Sequence, residues 1–457
     1  MSTTATATVT PTAASAPGKV LLAGGYLVLD PAYTGLVFAL SARIHCVSSV
    51  NPDGQADTIT VRSPQFTKEQ EWVYRISGTE SDAGTAVEQL SGSPNPFIQK
   101  AILYILTYLS ITTLHSPLKI TILADNDYYS QPPTTTRHPR FNNLPTTIRD
   151  ANKTGLGSSA ALTTSFTGCL FHTLSSSSSN VTETIHNLAQ AAHCSAQGKV
   201  GSGFDVAAAV WGSCIYRRFP AATLSSILES GTPGFAKRLK SVVDARWEYE
   251  ARKTTVPRGF RVVMGDVRGG SATPGMVKTV LRWREENGEK AKERWDAIHA
   301  LNMELIGWFE ETRRVGEHMG EEEYVKAARE YVKDRDSLAG GMEEIFRCFE
   351  KVAETLGKIR EQMRGMGEEA GAGIEPPAQT ELLDKHKEEV KSVLGGVVPG
   401  AGGHDAVALV LLDVDEEGRV EEEVKRVMSG HSCTMLETRE EMEGIREEEV
   451  KGYEGYL

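Results

Sequence analysis

Apolar residues follow two rhythms along this chain, and the change between them divides it. In the first half, "KVLLAGGYLVLD" (19–30) and "LVFALSARIHCVSSV" (36–50) are apolar runs of strand type, separated by a turn containing Asp30, Pro31 and Gly35. "DTITVRS" and "EWVYRIS" alternate as half-buried strands do, residues 96–114 read as a helix, and "LKITILADND" (118–127) as another strand. Small and apolar residues then recur at helical spacing over 158–174, and 181–197 is a second helix. "GSGFDVAAAVWGSCIYRRF" (201–219) runs from a glycine turn through a short helix into a strand. From Lys278 to Gly367 the pattern becomes a set of amphipathic helices with charged, solvated faces. A loop over 368–379, a helix over 380–394, a strand over 406–415 and a helical stretch over 417–428 complete the chain. The expectation is an α+β fold in two lobes, with a loose tail over 1–14, a first lobe over 15–230 and a second over 231–457.

"YYSQPPTTTRHPRFNN" (128–143) has linker composition and reads as a surface insertion or a flap. "SSSSSN" (175–180) reads as a loop. The segment "AILYILTYLSITTL" (101–114) is too short and too rich in hydroxyls for a membrane span, so no membrane span is expected and the segment reads as a buried helix.

The 457 residues are 40% hydrophobic and 24% charged, enough for a sizeable core without staples. A net charge of -12 argues against a general nucleic-acid binder and leaves room for an anionic small substrate held by local groups. The six cysteines are scattered with no CxxC pair, as buried reduced thiols are. The first residues lack a basic segment followed by an apolar one, and the terminal "GYL" is no known address, so the cytoplasm is the expected location.

One stretch carries chemistry: "NKTGLGSSAAL" (152–162). Its glycines let the backbone approach a ligand, and a helix starting at the serines aims free N–H groups at that spot. Ser158 and Ser159 add hydroxyls able to bind phosphate oxygens or Mg²⁺, and Lys153 adds positive charge. The alternative is a helix cap with tight glycine packing. The Walker sequence and the protein-kinase HRD signature are absent from the chain. "GLGSSA" satisfies GxGxxA, but the polar "IRDANKT" before it and the serine run after it do not suit a dinucleotide fold.

Together with "SAPGKVLLAGGYLVLD" and "VVPGAGGHDAVALV" (397–410), the stretch "KTGLGSSAAL" resembles the three motifs of the GHMP kinases, in order over nearly the whole chain. "GGYLVLD", "AQGKVGSGFDVAAAVWGS" (196–213), "GGSATPGMVKTV" (269–280) and "IEPPAQTELLD" (374–384) resemble the phosphomevalonate kinase branch of fungal type. The resemblance implies an N-terminal ribosomal-S5-like lobe, a C-terminal ferredoxin-like lobe, and ATP with Mg²⁺ and 5-phosphomevalonate between them. It implies Lys19 and Asp205 as catalytic residues, and Lys153, Thr154, Gly155, Leu156, Gly157, Ser158, Ser159 and Ala160 around the nucleotide, with Ser159 on the metal. The matching segments place Lys19, Tyr26, Lys199, Ser202, Arg268, Ser271, Thr273, Gln379, Gly402 and Gly403 near the acceptor. A glutamate that binds metal in mevalonate kinases, some eleven residues before the catalytic aspartate, has no counterpart here: no acid occurs between Glu183 and Asp205. His193 in that gap reads as a pocket residue or a satisfied helix histidine. A mevalonate kinase, a diphosphomevalonate decarboxylase and a nucleotide-binding sensor without catalysis are the rival readings. A monomer or weak dimer is expected.

Overall fold

The computed structural model describes residues 11–457 except 68–69, 80–81, 131–139, 176–180, 268–272, 336–340 and 415–417. The first lobe is built on one mixed sheet. Its strands are β1 (Thr12–Ala23), β2 (Gly35–Val50), β3 (Thr58–Arg62), β4 (Glu71–Gly78), β5 (Thr85–Ser91), β6 (Leu118–Ala124), β7 (Cys214–Arg217) and β8 (Glu250–Lys253). The long β1–β2 pair is its spine; β6, β3, β4 and β5 follow outward from β2, and β7 pairs with the start of β2. Helices α1 (Pro96–Tyr108), α2 (Ser158–Leu174), α3 (Val181–Gln197) and α4 (Phe204–Trp211) pack around that spine. Every residue of α2 from Ala160 to Phe171 is buried, which is why its sequence is small and apolar all round rather than striped. The short α5 (Ala222–Ser225) and then α6 (Phe235–Asp244) follow before β8.

The second lobe has a four-stranded antiparallel sheet. It contains β9 (Phe260–Val267), β10 (Val393–Val397), β11 (Ala406–Leu412) and β12 (Cys433–Met435) in the order β10-β11-β9-β12. The run "AVALVLL" of β11 is apolar on both sides because both sides are covered. Val407, Leu409 and Leu411 join a core with α10 (Pro377–Glu389) and α11 (Arg419–Ser429). Ala408, Val410 and Leu412 join the main core, which contains Trp295 and Phe309 of α7 (Thr273–Met319), Tyr324 of α8 (Glu321–Lys333) and Phe349 of α9 (Glu343–Ala370). Helix α7 is broken at Gly288, whose φ is 45°.

Two last strands, β13 (Glu440–Glu441) and β14 (Arg446–Glu448), return to the first lobe and pair with β2 and β1. This corrects the expected division of the chain: the first lobe extends to β8, past residue 230, and takes in the C-terminal strands. The tail expected over 1–14 is also shortened, because β1 begins at Thr12, where β2 and β14 flank it and Ala13 and Ala14 are buried.

Other expectations shift for local reasons. The apolar run 19–30 is not one strand. Gly24 and Gly25 turn the chain at φ 132° and 50°, and residues Gly25–Leu29 form a 3₁₀ turn. Helix α1 ends at Tyr108 rather than 114. The helix expected over 380–394 runs instead from Pro377, a proline suited to a first helical turn, to Glu389, and β10 begins at Val393. Most of the linker stretch 128–143 and of the serine run 175–180 lies outside the described residues.

Candidate functional site

Five segments converge on one cavity of about 480 Å³ between the lobes. Strand β1 brings Lys19, the 3₁₀ turn brings Tyr26, and the glycine-serine loop brings Lys153, Gly155, Gly157, Ser158 and Ser159. The start of α4 brings Ser202, Phe204 and Asp205, and the second lobe closes the cavity with Pro399, Gly400, Ala401, Gly402 and Asp405.

The glycines are required by the backbone. Gly155 and Gly157 have φ 77° and 80°, the left-handed region that costs other residues free energy. Gly157 caps α2 without a side-chain hydrogen bond, so the first N–H groups of that helix face the cavity beside the two serine hydroxyls. Helix α4 repeats the arrangement, with Gly203 as its cap at φ 77° and Asp205 in its first turn. Two positive helix ends thus meet in one cavity, which suits a highly charged anion.

Lys19 is locked to the loop it faces. Its backbone N–H donates to the Leu156 carbonyl at 2.9 Å and its Nζ donates to the Gly155 carbonyl at 2.8 Å. The ammonium also lies 5.8 Å from the Phe204 ring centre. Burial pulls the Lys19 pKa down, while Asp205 and Asp405 oppose that shift. Lys153 is likewise lowered by burial. Burial raises the Tyr26 phenol, which stays protonated and donates to the Ala401 carbonyl at 2.6 Å.

The carboxylate of Asp205 accepts the Val206 N–H through Oδ1 at 2.9 Å, which holds the side chain at the helix start. His193 is buried and its Nε2 lies 3.1 Å from Ser159 Oγ and 4.0 Å from Asp205 Oδ2. The histidine in the acid-free gap is therefore a neighbour of the site, not a remote helix residue.

Several expected residues stand elsewhere. Thr154 is buried and its hydroxyl donates to the Asp127 carbonyl, and Ala160 faces the helix core; neither side chain lines the cavity, although their backbone belongs to the loop that does. Gln379 is buried on α10 and does not line the cavity. Its segment acts from behind instead. Glu375 accepts two hydrogen bonds from Arg360, at 2.7 and 3.2 Å, and the Ile374 carbonyl accepts the Gly403 N–H at 2.9 Å. Gly403 thus anchors the third glycine loop rather than lining the cavity. Lys199 is exposed and outside the lining. Arg268 and Ser271 lie outside the described residues, as does the side chain of Thr273. Sequence reasoning missed Asp405 and Phe204, although both stand inside the motifs it used.

The fold and this site define a GHMP-type kinase, an ATP-dependent enzyme. The family model "GHMP kinases N terminal domain" matches residues 141–213. The chain is 43% identical to the phosphomevalonate kinase of Gibberella zeae over 97% of its own length and 98% of that protein's. It is 37% identical to that of Aspergillus fumigatus over 98% of each. The chain belongs to the phosphomevalonate kinase family. The fold of Streptococcus pneumoniae phosphomevalonate kinase, solved in complex with phosphomevalonate and AMPPNP, superposes with a TM-score of 0.59 at 16% identity, covering 94% of this chain and 99% of that one. No helix among the described residues is long and apolar enough to cross a membrane.

Proposed function

We propose that this chain moves the γ-phosphoryl of ATP onto the terminal phosphate of 5-phosphomevalonate, giving ADP and 5-diphosphomevalonate, with Mg²⁺ as cofactor, in the cytoplasm as a monomer or weak dimer. The observation that carries the reading is the convergence of Lys19, Ser158, Ser159 and Asp205 on one cavity that has two helix starts on its wall.

The acceptor is already a phosphate oxygen of low basicity, so strong base catalysis is not required. Positioning and charge neutralisation carry the rate. The α2 start and the Ser158 hydroxyl hold the nucleotide phosphates. Lys19 keeps ammonium N–H donors beyond the one given to Gly155, and these meet charge building on the transferred group. Asp205 orients the acceptor and takes its remaining proton when that phosphate arrives as the monoanion.

The donors fit Mg²⁺: Ser158, Ser159, Asp205 and Asp405 offer hard oxygens to the same cavity. No cluster of three acidic, histidine or cysteine ligands occurs among the described residues, so Ser159 would hold the ion while nucleotide phosphates and water fill its shell. Bound there, Mg²⁺ supplies neutralising charge on the nucleotide phosphates.

The test is ADP release with Mg-ATP and, in parallel, 5-phosphomevalonate, mevalonate or diphosphomevalonate. ADP only with the first, and a diphosphate product, is expected. ADP with mevalonate, or none with any of the three, overturns the reading.

A further inference from the structure

A buried histidine behind the serine pair has no part in the reaction as described so far. His193 is 3% exposed, packs 5.4 Å from the Phe97 ring and turns Nε2 toward the cavity wall. Three groups converge on that one nitrogen: Ser159 Oγ at 3.1 Å, Gln197 Nε2 at 3.4 Å and Asp205 Oδ2 at 4.0 Å.

A ring nitrogen either carries a proton and donates, or carries a lone pair and accepts. The amide nitrogen of Gln197 only donates, so a protonated Nε2 would set two donors against each other. A lone pair on Nε2 accepts from both Gln197 and the Ser159 hydroxyl. Asp205 at 4.0 Å is beyond hydrogen-bond reach and does not call for a proton there.

We infer that His193 is a positioning residue: protonated on Nδ1, it accepts the Ser159 hydroxyl proton at Nε2 and turns the lone pairs of Ser159 Oγ into the cavity. A hydroxyl with its proton committed behind it presents oxygen alone to a ligand. Such a group suits a divalent cation and is a poor donor to phosphate. His193 therefore divides the labour of two adjacent serines. Ser158 keeps a rotatable proton for phosphate oxygens, while Ser159 becomes a fixed oxygen donor. The cation's presence rests on the kinase reading above; the orientation of the hydrogen bond does not.

Two measurements test this. Side-chain ¹⁵N spectroscopy of the whole protein, with the His193 signals assigned by their loss in His193→Gln, reads the tautomer directly. An unprotonated Nε2 is expected, and a protonated Nε2 overturns the inference whatever the reaction proves to be. Calorimetry of ATP binding with and without Mg²⁺ reads the consequence. His193→Phe keeps the ring but not the acceptor; it should leave metal-free ATP affinity unchanged and weaken Mg-ATP binding about tenfold. His193→Gln, whose side-chain oxygen can accept the same proton, should recover most of that loss. In a Ser159→Ala background His193→Phe should add nothing. Equal weakening with and without Mg²⁺, no weakening at all, or full additivity with Ser159→Ala each overturn it. If His193→Phe does not fold, the tautomer in the native protein decides.

Discussion

Tyr26 of the first lobe donates its hydroxyl proton to the carbonyl of Ala401 in the second lobe, at 2.6 Å, on the wall of the cavity. Removing it leaves a carbonyl without its partner at the junction of the lobes. Tyr26→Phe should cost about 1 kcal/mol of ligand binding, a roughly fivefold rise in KM, with little change in melting temperature. Unchanged KM values for both substrates would show that the bond does not hold the binding geometry.

The glycine-serine loop and Lys19 are packed too closely for a side chain between them. A Cβ on Gly157 would lie 2.9 Å from Lys19 Cε, on a backbone at φ 80°. Gly157→Ala should cost roughly 1–2 kcal/mol in strain. Because the displaced group is Lys19, to which the proposed reaction assigns charge stabilisation, kcat should fall at least about tenfold, more than the stability loss accounts for. Full kcat in a folded variant would mean that Lys19 is not held in place by this contact.

Lys19 and Asp205 reach the cavity from two elements, and the proposed reaction has both acting on the transferring group. Lys19→Met and Asp205→Asn should each lower kcat by a factor on the order of 10²–10³ while melting temperature and ATP affinity change little. Turnover retained in the double variant would remove both from the chemistry.

The Glu375 side chain is 2% exposed and receives Arg360 at 2.7 Å and Arg364 at 3.3 Å. Among the described residues, Glu375→Ala leaves Arg360 with only the Asp384 contact. A loss of roughly 3–5 kcal/mol in denaturant unfolding is expected. A loss below about 1 kcal/mol would show that water replaces the carboxylate without penalty.

Burial pushes the His186 imidazole down to about 4, stacked 4.5 Å from the Tyr249 ring. Between that value and the ordinary 6.5, the unfolded chain holds a proton there that the folded chain does not. Stability from this group is complete above about pH 6.5 and declines as pH falls toward 4, by up to roughly 1.4 kcal/mol per pH unit. His186→Gln should flatten urea-unfolding stability against pH in that window by up to one proton. An unchanged slope would mean that the ring already titrates normally in the folded protein.

Much of this arrangement could be read in the residues themselves. The spans of α2 over 158–174 and of α3 over 181–197 were legible as runs of small and apolar residues, and both helices bury a continuous set of positions. Lys19 and Asp205 were legible only through resemblance, since a lone lysine or aspartate carries no signal of its own. Elements set by distant partners were not legible. The brief β13 and β14 are polar and become strands only because β2 and β1 offer open edges. Gln379 matched a motif, yet burial removes it from the cavity; proximity in sequence to a functional segment does not say which way a side chain faces. His193 could have been marked by the missing acid in its neighbourhood, but its contact with Ser159 joins two helices and needs coordinates to see.

The strands β13 and β14 have a consequence for how this protein comes into being. Arg43 is buried in the first lobe, and its guanidinium donates to Ser15 and to the carbonyls of Glu443 and Gly444, four hundred residues downstream. Until those residues leave the ribosome, the charge has too few partners to be buried, and the lobe synthesised first stays incomplete. The lobe that carries the glycine-serine loop is therefore completed only by residues 440–448. A chain cut ahead of Glu440 would leave the Arg43 guanidinium without the Glu443 and Gly444 carbonyls.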